Sequence, residues 1–465
     1  MSESESASSR APDALYGSAA DDEARRRAFL RGDVPIAVYG LGKMGLPLAA
    51  VFAETGGRVV GADIDPAVVE EIRAGRSHVT GEPGLDELVA DQVERGSLTA
   101  TTDPREAATE ASVHVVIVPT PITDRTEPDL ATLDAVVADI GAGLAAGDLV
   151  IVESTVPPGT TAGRVRPALE EASGLALGEF GLAFCPERTA SGRALRDIRG
   201  AYPKVVGGCD DESARAARLV YEELNDSGVV PVADATTAEA VKVFEGVYRD
   251  VNIALANELA TLADELDVDV ADAIEVANTQ PYCDLHEPGP GVGGHCIPYY
   301  PYFLIHPCET ATPLLETARE VNDAMPAFTV ERLREGLARD GKSLEGAAVA
   351  LLGLTYRPGV EELRASPAIA IAERLSDRGA EIYGVDPLVD EVPGVDLEPL
   401  ALEALAEEPL DAVVLVTPHE EFESIPWAAL ERSSDDLSVV VDGRRTLDET
   451  PLETRRYAIG RGFEP

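Results

Sequence analysis

Short apolar runs alternate with segments of mixed polarity through the first half of the chain. The first run leads through VYGLGKMGLP into an amphipathic stretch and then into a second apolar run, GRVVGAD. Such an alternation of strands and helices is typical of a doubly wound α/β domain with a mostly parallel sheet. Further strands are predicted in the segments VHVVIVPTP, DLVIVESTV and GLAFCPE.

A long helix is predicted after this domain. Thr236 and Glu239 have the spacing of a capping box at its start. A helix of this length between two α/β halves is expected to act as a spine and to offer a homodimer surface. Its apolar residues recur at the three- and four-residue steps of one helix face, at positions 241, 244, 247, 251, 255, 259 and 262.

The strand–turn–helix–strand pattern returns in the last third of the chain. There GLTYRPGVEELRASPA parallels GLGKMGLPLA, IYGVDP parallels VVGADIDP, and VVLVTPH parallels VVIVPTP. The second copy lacks the glycine signature, which predicts a different ligand. We therefore predict a flexible acidic tail at 1–31, a dinucleotide-binding domain at 32–230, a central helical domain at 231–330 and a second nucleotide-binding domain at 331–465.

Charge narrows the range of partners. The chain has 38 basic and 84 acidic residues and a formal net charge of −46, which argues against binding nucleic acid or an anionic membrane through a basic patch. Only Lys43, Lys204, Lys242 and Lys342 are lysines. This composition favours a halophilic protein, because concentrated salt screens self-repulsion; arginine codons of a high-GC genome are the alternative. Each retained lysine is a candidate for a role that arginine cannot fill.

Cysteine and histidine usage limits other chemistry. The five cysteines form no CxxC pair, which favours a reducing cytoplasm. The six histidines show no metal-ligand spacing, so no metal site is expected. The polar N-terminus is unlike a signal peptide, and no apolar run reaches the length of a membrane span.

Gly40, Gly42 and Gly45 form a GxGxxG motif between the first strand and the first long helix. Glycines there let backbone NH groups approach a pyrophosphate at the helix N-terminus. Asp63 lies 18 residues after Gly45, at the end of the second strand. An acid there accepts hydrogen bonds from the ribose of NAD and repels the extra phosphate of NADP. A tight turn without a ligand is the alternative, but it leaves Asp63 unexplained.

Cys296 lies in the glycine-crowded segment GPGVGGHCIP. Small neighbours let a substrate come close to the sulfur, and a thiolate in such a place can attack a carbonyl carbon. A buried structural cysteine is the alternative. His295 is adjacent to Cys296, but neighbouring side chains rarely point at each other, so a Cys–His pair is the less favoured interpretation.

Four other polar residues follow predicted strands or lie on the long helix. Thr120 and Thr155 come at the carboxyl ends of strands, where doubly wound sheets bind ligands. Strands that end at proline and are followed by capped helices are an equal alternative. Glu187 is a candidate general base, although it could equally be a helix-start acid. Lys242, on the long helix, could hold an alkoxide or oxyanion. Lys204 is interpreted as structural.

Together, in this order, the motifs resemble the UDP-glucose/GDP-mannose dehydrogenase family. The resemblance runs from about residue 33 to about residue 460 and rests on GLGKMGLP, VPTP, ESTVPPGT, FCPER, the Lys242 helix, GPGVGGHCIP, GLTYRPGVEELRASPA and VVDGRR. HCIP and RDVNIALANEL resemble the branch that oxidises UDP-N-acetylhexosamines, above all UDP-N-acetylmannosamine. The family fold implies two Rossmann-like doubly wound domains, joined by a long central helix and a small helical domain.

The resemblance also implies a reaction. Family members oxidise a primary alcohol of the sugar twice with NAD, through a cysteine thiohemiacetal and thioester, and water releases the uronate. The positions that match the family's catalytic residues are Cys296, Lys242, Glu187 and Thr155. The positions that match its nucleotide-sugar contacts are Arg357, Arg364 and Arg444, together with Lys242.

Two positions depart from the family pattern. Gly246 stands where the family has Asn, four residues after the lysine, and Tyr300 stands where it has Asp, four residues after the cysteine. We expect the two residues to be in contact, with Gly246 making room for the ring of Tyr300. Three alternatives stay open: a UDP-glucose or UDP-N-acetylglucosamine 6-dehydrogenase, a catalytically inactive homologue that binds NAD and nucleotide sugar, and an NAD-dependent hydroxyacid dehydrogenase.

Overall fold

The computed structural model describes residues 15–433, 437–448 and 450–463. They form two compact units. The first extends to Phe244 and includes Tyr302–Pro307, and the second comprises Glu245–Pro301 and the chain from Cys308 onward. The three-domain division expected from the sequence therefore does not coincide with this division into two units.

The first unit is built on an eight-stranded sheet with the order β3-β2-β1-β4-β5-β6-β7-β8. Neighbouring strands are parallel except β6 and β7. Five of the strands are buried along their whole length, as expected for a parallel sheet covered on both faces. The strands are β1 (Ile36–Tyr39), β2 (Val59–Ala62), β3 (Leu98–Thr101), β4 (Val113–Val116), β5 (Leu149–Val152), β6 (Gly181–Phe184), β7 (Lys204–Gly208) and β8 (Val229–Pro231).

Helices separate these strands in the alternation that the apolar pattern predicted. Short π-helical turns occur at Thr161–Val165 and Asp197–Ala201. The helices are α1 (Asp22–Leu30), α2 (Gly45–Gly56), α3 (Pro66–Arg73), α4 (Leu85–Glu94), α5 (Pro104–Glu110), α6 (Ala131–Gly143), α7 (Arg166–Ser173), α8 (Ala194–Arg196) and α9 (Asp211–Leu224).

Residues 15–31 of the segment expected to be a flexible tail are folded. Residues 1–14 of that segment lie outside the described residues. After them, Leu15 and Tyr16 are buried, and α1 buries Phe29 in the core of the first unit. The guanidinium of Arg25 donates to the carbonyl of Leu15 at 2.8 Å. The prediction of a flexible tail is therefore wrong for residues 15–31, because their few apolar side chains pack in the core of the first unit.

The predicted long helix is α10 (Ala235–Thr261). Its first turn is not closed by the expected capping box. Instead, Asp234 accepts hydrogen bonds from the backbone and the hydroxyl of Thr237 at 2.7 and 2.9 Å. Glu239 is buried and accepts from the backbone NH groups of Gly159 and Thr161. Glu239 thus anchors the loop after β5, a distant contact that local spacing could not predict.

The second unit has its own seven-stranded sheet, with the order β11-β10-β9-β12-β13-β14-β15 and one antiparallel pair, β14 with β15. Its strands are β9 (Ala348–Leu352), β10 (Glu381–Val385), β11 (Glu398–Pro399), β12 (Ala412–Leu415), β13 (Val439–Asp442), β14 (Arg455–Ala458) and β15 (Gly462–Phe463). The chain's remaining α-helices are α11 (Ala263–Leu266), α12 (Val270–Ala277), α13 (Tyr302–Ile305), α14 (Pro313–Arg339), α15 (Pro367–Ser376) and α16 (Trp427–Ser433), and 3₁₀ turns occur at Leu402–Glu407 and Glu420–Ser424.

The predicted fold class is confirmed: two doubly wound α/β sheets, a long helix between them in sequence, and a small set of helices after it. Among the described residues, no helix is long and apolar enough to cross a membrane.

Candidate active site

The glycine turn between β1 and α2 has the geometry of a phosphate-binding loop. Gly40 has a φ of +92°, and a Cβ there would lie 2.6 Å from the carbonyl oxygen of Ile117. A Cβ at Gly45 would overlap the carbonyl oxygen of Gly40, so glycine permits the close packing of α2 on the turn. A Cβ at Gly42 would meet no atom within 4 Å. The open side of the turn thus leaves space for a diphosphate at the N-terminus of α2.

Asp63 lies at the end of β2, next to this turn. One carboxylate oxygen accepts a hydrogen bond from the backbone NH of Leu41 at 2.8 Å, and the other accepts from Asp65 at 3.0 Å. The residue is partly exposed. A carboxylate has about four acceptor sites, so acceptor capacity is left for ribose hydroxyls. The residues around the turn therefore fit a bound dinucleotide.

The loops after β4 and β5 are joined by side chains. The hydroxyl of Thr120 donates to the carbonyl of Thr155 at 2.5 Å, and the hydroxyl of Ser154 accepts from the backbone of Val118 at 2.8 Å. The two threonines predicted from the sequence are therefore neighbours at the carboxyl end of the sheet, where ligands of such sheets bind.

Glu187 and Lys242 also meet in the first unit. Their Oε2 and Nζ atoms are 3.6 Å apart, with side-chain exposures of 18% and 9%. The other oxygen of Glu187 accepts from the backbone and the hydroxyl of Thr189. That hydroxyl also lies 2.9 Å from the sulfur of Met44 in the glycine turn. The loop with Glu187 is therefore tied to the phosphate-binding turn, a link that the sequence did not indicate.

Cys296 lies in the second unit and is exposed. Two glycines that precede Cys296 pack closely against the turn after β9. A Cβ at Gly293 or at Gly294 would lie 2.8 Å from atoms of Tyr356, and the backbone NH of Gly294 donates to the carbonyl of Arg364 at 3.0 Å. Only glycine fits these contacts, so the crowded loop presents the thiol at the surface of its unit.

His295 pairs with a carboxylate. Its Nε2 atom lies 3.0 Å from Oε2 of Glu362, and both residues belong to the second unit. This contact accounts for the imidazole without a Cys–His pair, the interpretation that the sequence also favoured less.

The three predicted arginines of the second unit differ in setting. Arg357 and Arg364 are exposed in the segment after β9. Arg444 is partly buried and donates weakly, at 3.4 Å, to the carbonyls of Val416 and Gly291. Burial lowers the pKa of its guanidinium, an effect that Glu287 opposes. Arg444 therefore lies near the carboxyl ends of strands and supports the glycine loop through its hydrogen bond to Gly291.

The contact expected between Gly246 and Tyr300 is confirmed. A Cβ at Gly246 would overlap the ring of Tyr300, which is buried. The backbone NH of Tyr300 donates to the carbonyl of Cys296 at 3.0 Å. The two departures from the family pattern are thus sterically linked, and Tyr300 belongs to the turn that begins at the thiol.

One positioning residue was missed in the sequence. Asn257 on α10 is buried, and its amide oxygen accepts from the backbone NH of Gly289 at 2.9 Å. Its amide NH₂ donates to Asn322 on α14, which in turn donates to Asp250. Asp250 and Asn257 are seven residues apart, which places both on one face of the helix. Two polar residues at that spacing within an otherwise apolar face could have indicated this anchor.

A mostly parallel sheet with an open glycine turn and an acid at the end of β2 defines a dinucleotide-binding fold of the dehydrogenase class. Three family profiles then match the chain in sequence order, all from the UDP-glucose/GDP-mannose dehydrogenase family. They are the NAD binding domain at residues 34–225, the central domain at 236–324 and the UDP binding domain at 350–449. The chain belongs to this family and is an NAD-dependent nucleotide-sugar dehydrogenase.

Known relatives are similar over most of their length. The UDP-N-acetyl-D-mannosamine dehydrogenase of Pyrococcus horikoshii is 38% identical over 92% of this chain and 99% of its own. The solved structure from that organism has a TM-score of 0.84 and 36% identity, covering 92% and 99% of the two chains. The NDP-N-acetyl-D-galactosaminuronic acid dehydrogenase of Ralstonia nicotianae is 37% identical over 88% and 95%.

Proposed function

We propose that the enzyme oxidises a UDP-N-acetylhexosamine, foremost UDP-N-acetylmannosamine, to its uronic acid in two NAD-dependent steps. The observation that carries this proposal is the exposed thiol of Cys296 on a loop that only glycine can form. An accessible cysteine can hold an aldehyde covalently for a second oxidation. The names of the relatives support an N-acetylated sugar.

In the proposed reaction, bound NAD supplies the acceptor for a hydride in each of the two oxidations. Lys242 holds the oxygen of the sugar alcohol, and its partner Glu187 takes up the proton released. The thiolate of Cys296 adds to the aldehyde carbon and forms a C–S bond. After the second oxidation the thioester remains, and a water that Glu187 and Thr155 orient attacks its carbonyl carbon. The C–S bond then breaks, and the uronate and the free thiol are released.

Substrate binding is assigned to the second unit. Arg357 and Arg364 are exposed near the glycine loop, and Arg444 supports that loop. Guanidinium groups are suited to the diphosphate of a UDP-sugar. The cofactor is held by residues of the first unit, which are Gly40, Gly42, Gly45, Asp63, Thr120 and Thr155. The position of Asp63 favours NAD over NADP.

A substrate panel tests the proposal. NADH release is measured with UDP-N-acetylmannosamine, UDP-N-acetylgalactosamine, UDP-N-acetylglucosamine and UDP-glucose, each with NAD and with NADP, in molar salt. We expect two NADH for each molecule of UDP-N-acetylmannosamine oxidised, and a lower rate with NADP. A preference for UDP-glucose, or one NADH per sugar, would contradict it. Binding of sugar and NAD without NADH release would instead identify a catalytically inactive homologue.

We also propose that Gly246 and Tyr300 replace the family's Asn and Asp as a coupled pair. The phenol of Tyr300 would donate a hydrogen bond where the family's Asp supports the water. Tyr300→Asp alone leaves a void beside Gly246, whereas Gly246→Asn alone collides with the ring. We expect each single variant to lose more turnover than the double variant, so that a double-mutant cycle is non-additive. Strictly additive effects would show that the two substitutions are independent.

Three further properties complete the proposal. The net charge of −46 suits concentrated salt. Dilute buffer should unfold the protein, because the Debye length grows from about 3 Å at 1 M to about 30 Å at 0.01 M and self-repulsion is then less screened.

Tyr248, Leu255 and Leu262 on and just after α10 are 38–50% exposed at seven-residue steps, and they form a face suited to a second copy in a homodimer. All five cysteines are free, as in a cytoplasmic enzyme. Light scattering in high and low salt tests the first two properties.

A further inference from the structure

The loop that ends at the thiol, residues 289–296 (the cysteine loop), packs against a second segment of the same unit. This segment is the turn after β9, residues 356–366 (the arginine turn), which carries Arg357 and Arg364. The backbone NH of Gly294 donates to the carbonyl of Arg364 at 3.0 Å, and a Cβ at Gly294 would lie 2.8 Å from the ring of Tyr356. The nucleophile and two candidate diphosphate ligands therefore lie on segments that touch each other.

A contact between two side chains joins the same segments directly beside the thiol. His295 precedes Cys296 in the chain, and its Nε2 atom lies 3.0 Å from Oε2 of Glu362 in the arginine turn. The two side chains are 41% and 22% exposed. The other oxygen of Glu362 accepts from the backbone NH of Arg364 at 3.3 Å. One carboxylate thus connects the residue before the thiol with the backbone of an arginine.

The arginine turn has a backbone conformation that needs support from its surroundings. Ala365 has a φ of +50°, in a region that residues with a Cβ rarely occupy. Such a conformation persists only where the contacts around it hold it in place. A Cβ at Gly293 would lie 2.8 Å from the carbonyl oxygen of Ala365, so the cysteine loop packs directly on this residue. The two segments therefore stabilise each other.

Tyr356 shows that the thiol and the carboxylate act on the same place. Burial raises the pKa of its phenol, Arg357 opposes this effect, and the charges of Cys296 and then Glu362 raise the pKa further. The phenol therefore stays neutral near pH 7. Its ring packs on the cysteine loop while its own backbone NH donates to the carbonyl of Glu362 at 3.1 Å.

We propose that His295 is a positioning residue: its hydrogen bond to Glu362 fixes Cys296 at a set distance from the arginines that bind the diphosphate of the UDP-sugar. This role rests on the proposed function, in which Cys296 attacks the sugar aldehyde. An imidazole donates from Nε2 both when protonated and in one neutral tautomer, so the role needs no charge. The thiol must meet one carbon atom of a sugar that is held by its diphosphate, and a displacement of about 1 Å can cost about 100-fold in rate.

His295→Ala tests the role in turnover. We expect kcat to fall about 10- to 100-fold, because the thiol is no longer held at its working position. The Kd of UDP, measured by isothermal titration, should not change, because the arginine turn keeps its own residues. The exposed thiol should react with iodoacetamide at the wild-type rate. An unchanged kcat, a weaker affinity for UDP that accounts for the whole loss, or a slower reaction with iodoacetamide would each overturn the proposal.

His295→Gln separates positioning from acid–base chemistry. The amide NH₂ of glutamine reaches about as far as Nε2 of histidine and can donate the same hydrogen bond, but it does not exchange protons near neutral pH. We therefore expect His295→Gln to recover most of the kcat that His295→Ala loses. A glutamine variant as slow as the alanine variant would mean that the imidazole acts on the thiol as an acid or base, and the positioning role would be wrong.

The partner residue and a matched control complete the kinetic test. Glu362→Ala should lose at least as much kcat as His295→Ala, and the double variant should be no slower than Glu362→Ala alone, because both changes remove one contact. Additive losses would contradict the proposal. Asp340 forms a partly exposed pair with Arg455 at 3.2 Å, also in the second unit. Asp340→Ala should leave kcat unchanged, and an equal loss there would reduce the effect to general stability.

An alkylating UDP derivative tests the geometry without any oxidation. The probe is UDP with a bromoacetamido group on a short linker at its terminal phosphate. The thiolate of Cys296 displaces bromide from it, so that a C–S bond forms as the C–Br bond breaks. Binding through the diphosphate should make this alkylation faster than that by free bromoacetamide at the same concentration. His295→Ala should reduce the advantage about tenfold, and His295→Gln should keep it.

The two experiments distinguish a failure of this inference from a failure of the proposed function. If no sugar is oxidised but the advantage of the UDP probe depends on His295 in this way, the proposed function fails and the positioning role stands. If sugar is oxidised and His295→Ala changes neither kcat nor the advantage of the probe, the positioning role is wrong. A wild-type enzyme in which the probe has no advantage would also overturn the role.

Discussion

The two α/β folds of the chain share one backbone plan at their first turn. In the first, Gly40 donates to the carbonyl of Ala62 at 2.9 Å, and the next NH donates to Asp63 at 2.8 Å. In the second, Gly353 donates to Val385 at 2.8 Å, and the next NH donates to Asp386 at 2.7 Å. Both glycines have a positive φ, +92° and +85°.

The folds differ two residues further on. The first has Gly42, with open space where a side chain would be; the second has Thr355 at the matching position. The hydroxyl of Thr355 lies 3.1 Å from Asp386 and 2.8 Å from Nε2 of His419, and His419 lies 3.2 Å from the same carboxylate. Gly42 thus leaves room for a diphosphate at the first turn, whereas Thr355 and His419 together close the second turn into a buried polar cluster.

The largest expected effect separates the chemistry of the cysteine loop in the second unit from cofactor binding by the α/β fold of the first unit. Cys296→Ser should reduce uronate formation roughly a thousand-fold or more, because a hydroxyl at its free pKa is a far weaker nucleophile than a thiolate. NAD affinity should not change, because the glycine turn lies in the first unit. Product analysis and NAD titration measure the two effects.

Cys308→Ser is the control, since Cys308 is also exposed. It should keep full turnover, as should replacement of Cys185, Cys209 or Cys283. Normal turnover in Cys296→Ser would rule out the thioester route.

Gly42→Ala tests the open turn directly. A methyl group there occupies the space in which the diphosphate must approach the backbone, so the Kd of NAD should rise at least about tenfold, or about 1.4 kcal/mol. The melting temperature should stay the same, because the new Cβ meets no atom within 4 Å. Isothermal titration and thermal unfolding are the measurements.

Gly163→Ala provides the comparison, because a Cβ at Gly163 also meets nothing within 4 Å. It should affect neither NAD binding nor stability. An unchanged Kd in Gly42→Ala would mean that the dinucleotide does not approach this turn.

Thr355→Val tests the closed turn and should have the opposite profile. It removes a buried hydroxyl from Asp386 and His419 and should cost about 1–3 kcal/mol of unfolding free energy. Thr329→Val is the control, because the hydroxyl of this equally buried residue donates to the carbonyl of Met325 in its own helix. Equal losses of stability in the two variants, measured by urea unfolding, would show that the cluster adds nothing special.

Local pattern predicted the strands, the glycine turn and α10, because apolar periodicity and glycine geometry are properties of short segments. The contact between Gly246 and Tyr300 was also predictable, since two unusual residues stood at positions linked by a known motif. The role of Glu239 was not predictable. Its spacing suggested a local helix cap, but its partners Gly159 and Thr161 belong to a distant loop.

The cluster around Asp386 shows the same limit. VVLVTPH parallels VVIVPTP in sequence, yet its last residue, His419, joins Thr355 and Asp386 in closing the turn. Its role depends on three strand ends meeting at one edge of the sheet. The helix α1 was missed for a related reason, because only burial against the first unit makes its sparse apolar residues informative.

The smallest expected effect concerns the charge of Asp386. Burial acts to raise its pKa, but hydrogen bonds from His419 and from the backbone of Thr355 and Leu388 outweigh burial, and the pKa lies below its ordinary value. The stability that this pairing contributes is therefore fully present above the unfolded value of about 3.9 and is lost as the pH falls through the folded pKa. One proton limits the slope to about 1.4 kcal/mol per pH unit.

Asp386→Asn should therefore be less stable than the wild type at pH 7, and the difference in urea midpoint should narrow as the pH falls below about 4. Asp390→Asn, which removes the same charge from an exposed position four residues away, should show no such convergence. A gap that stays constant down to acid pH would mean that Asp386 stabilises the turn by its shape and its neutral hydrogen bonds. The second fold would then differ from the first through the side chains of Thr355 and His419, since Asp63 and Asp386 would serve their turns in the same way.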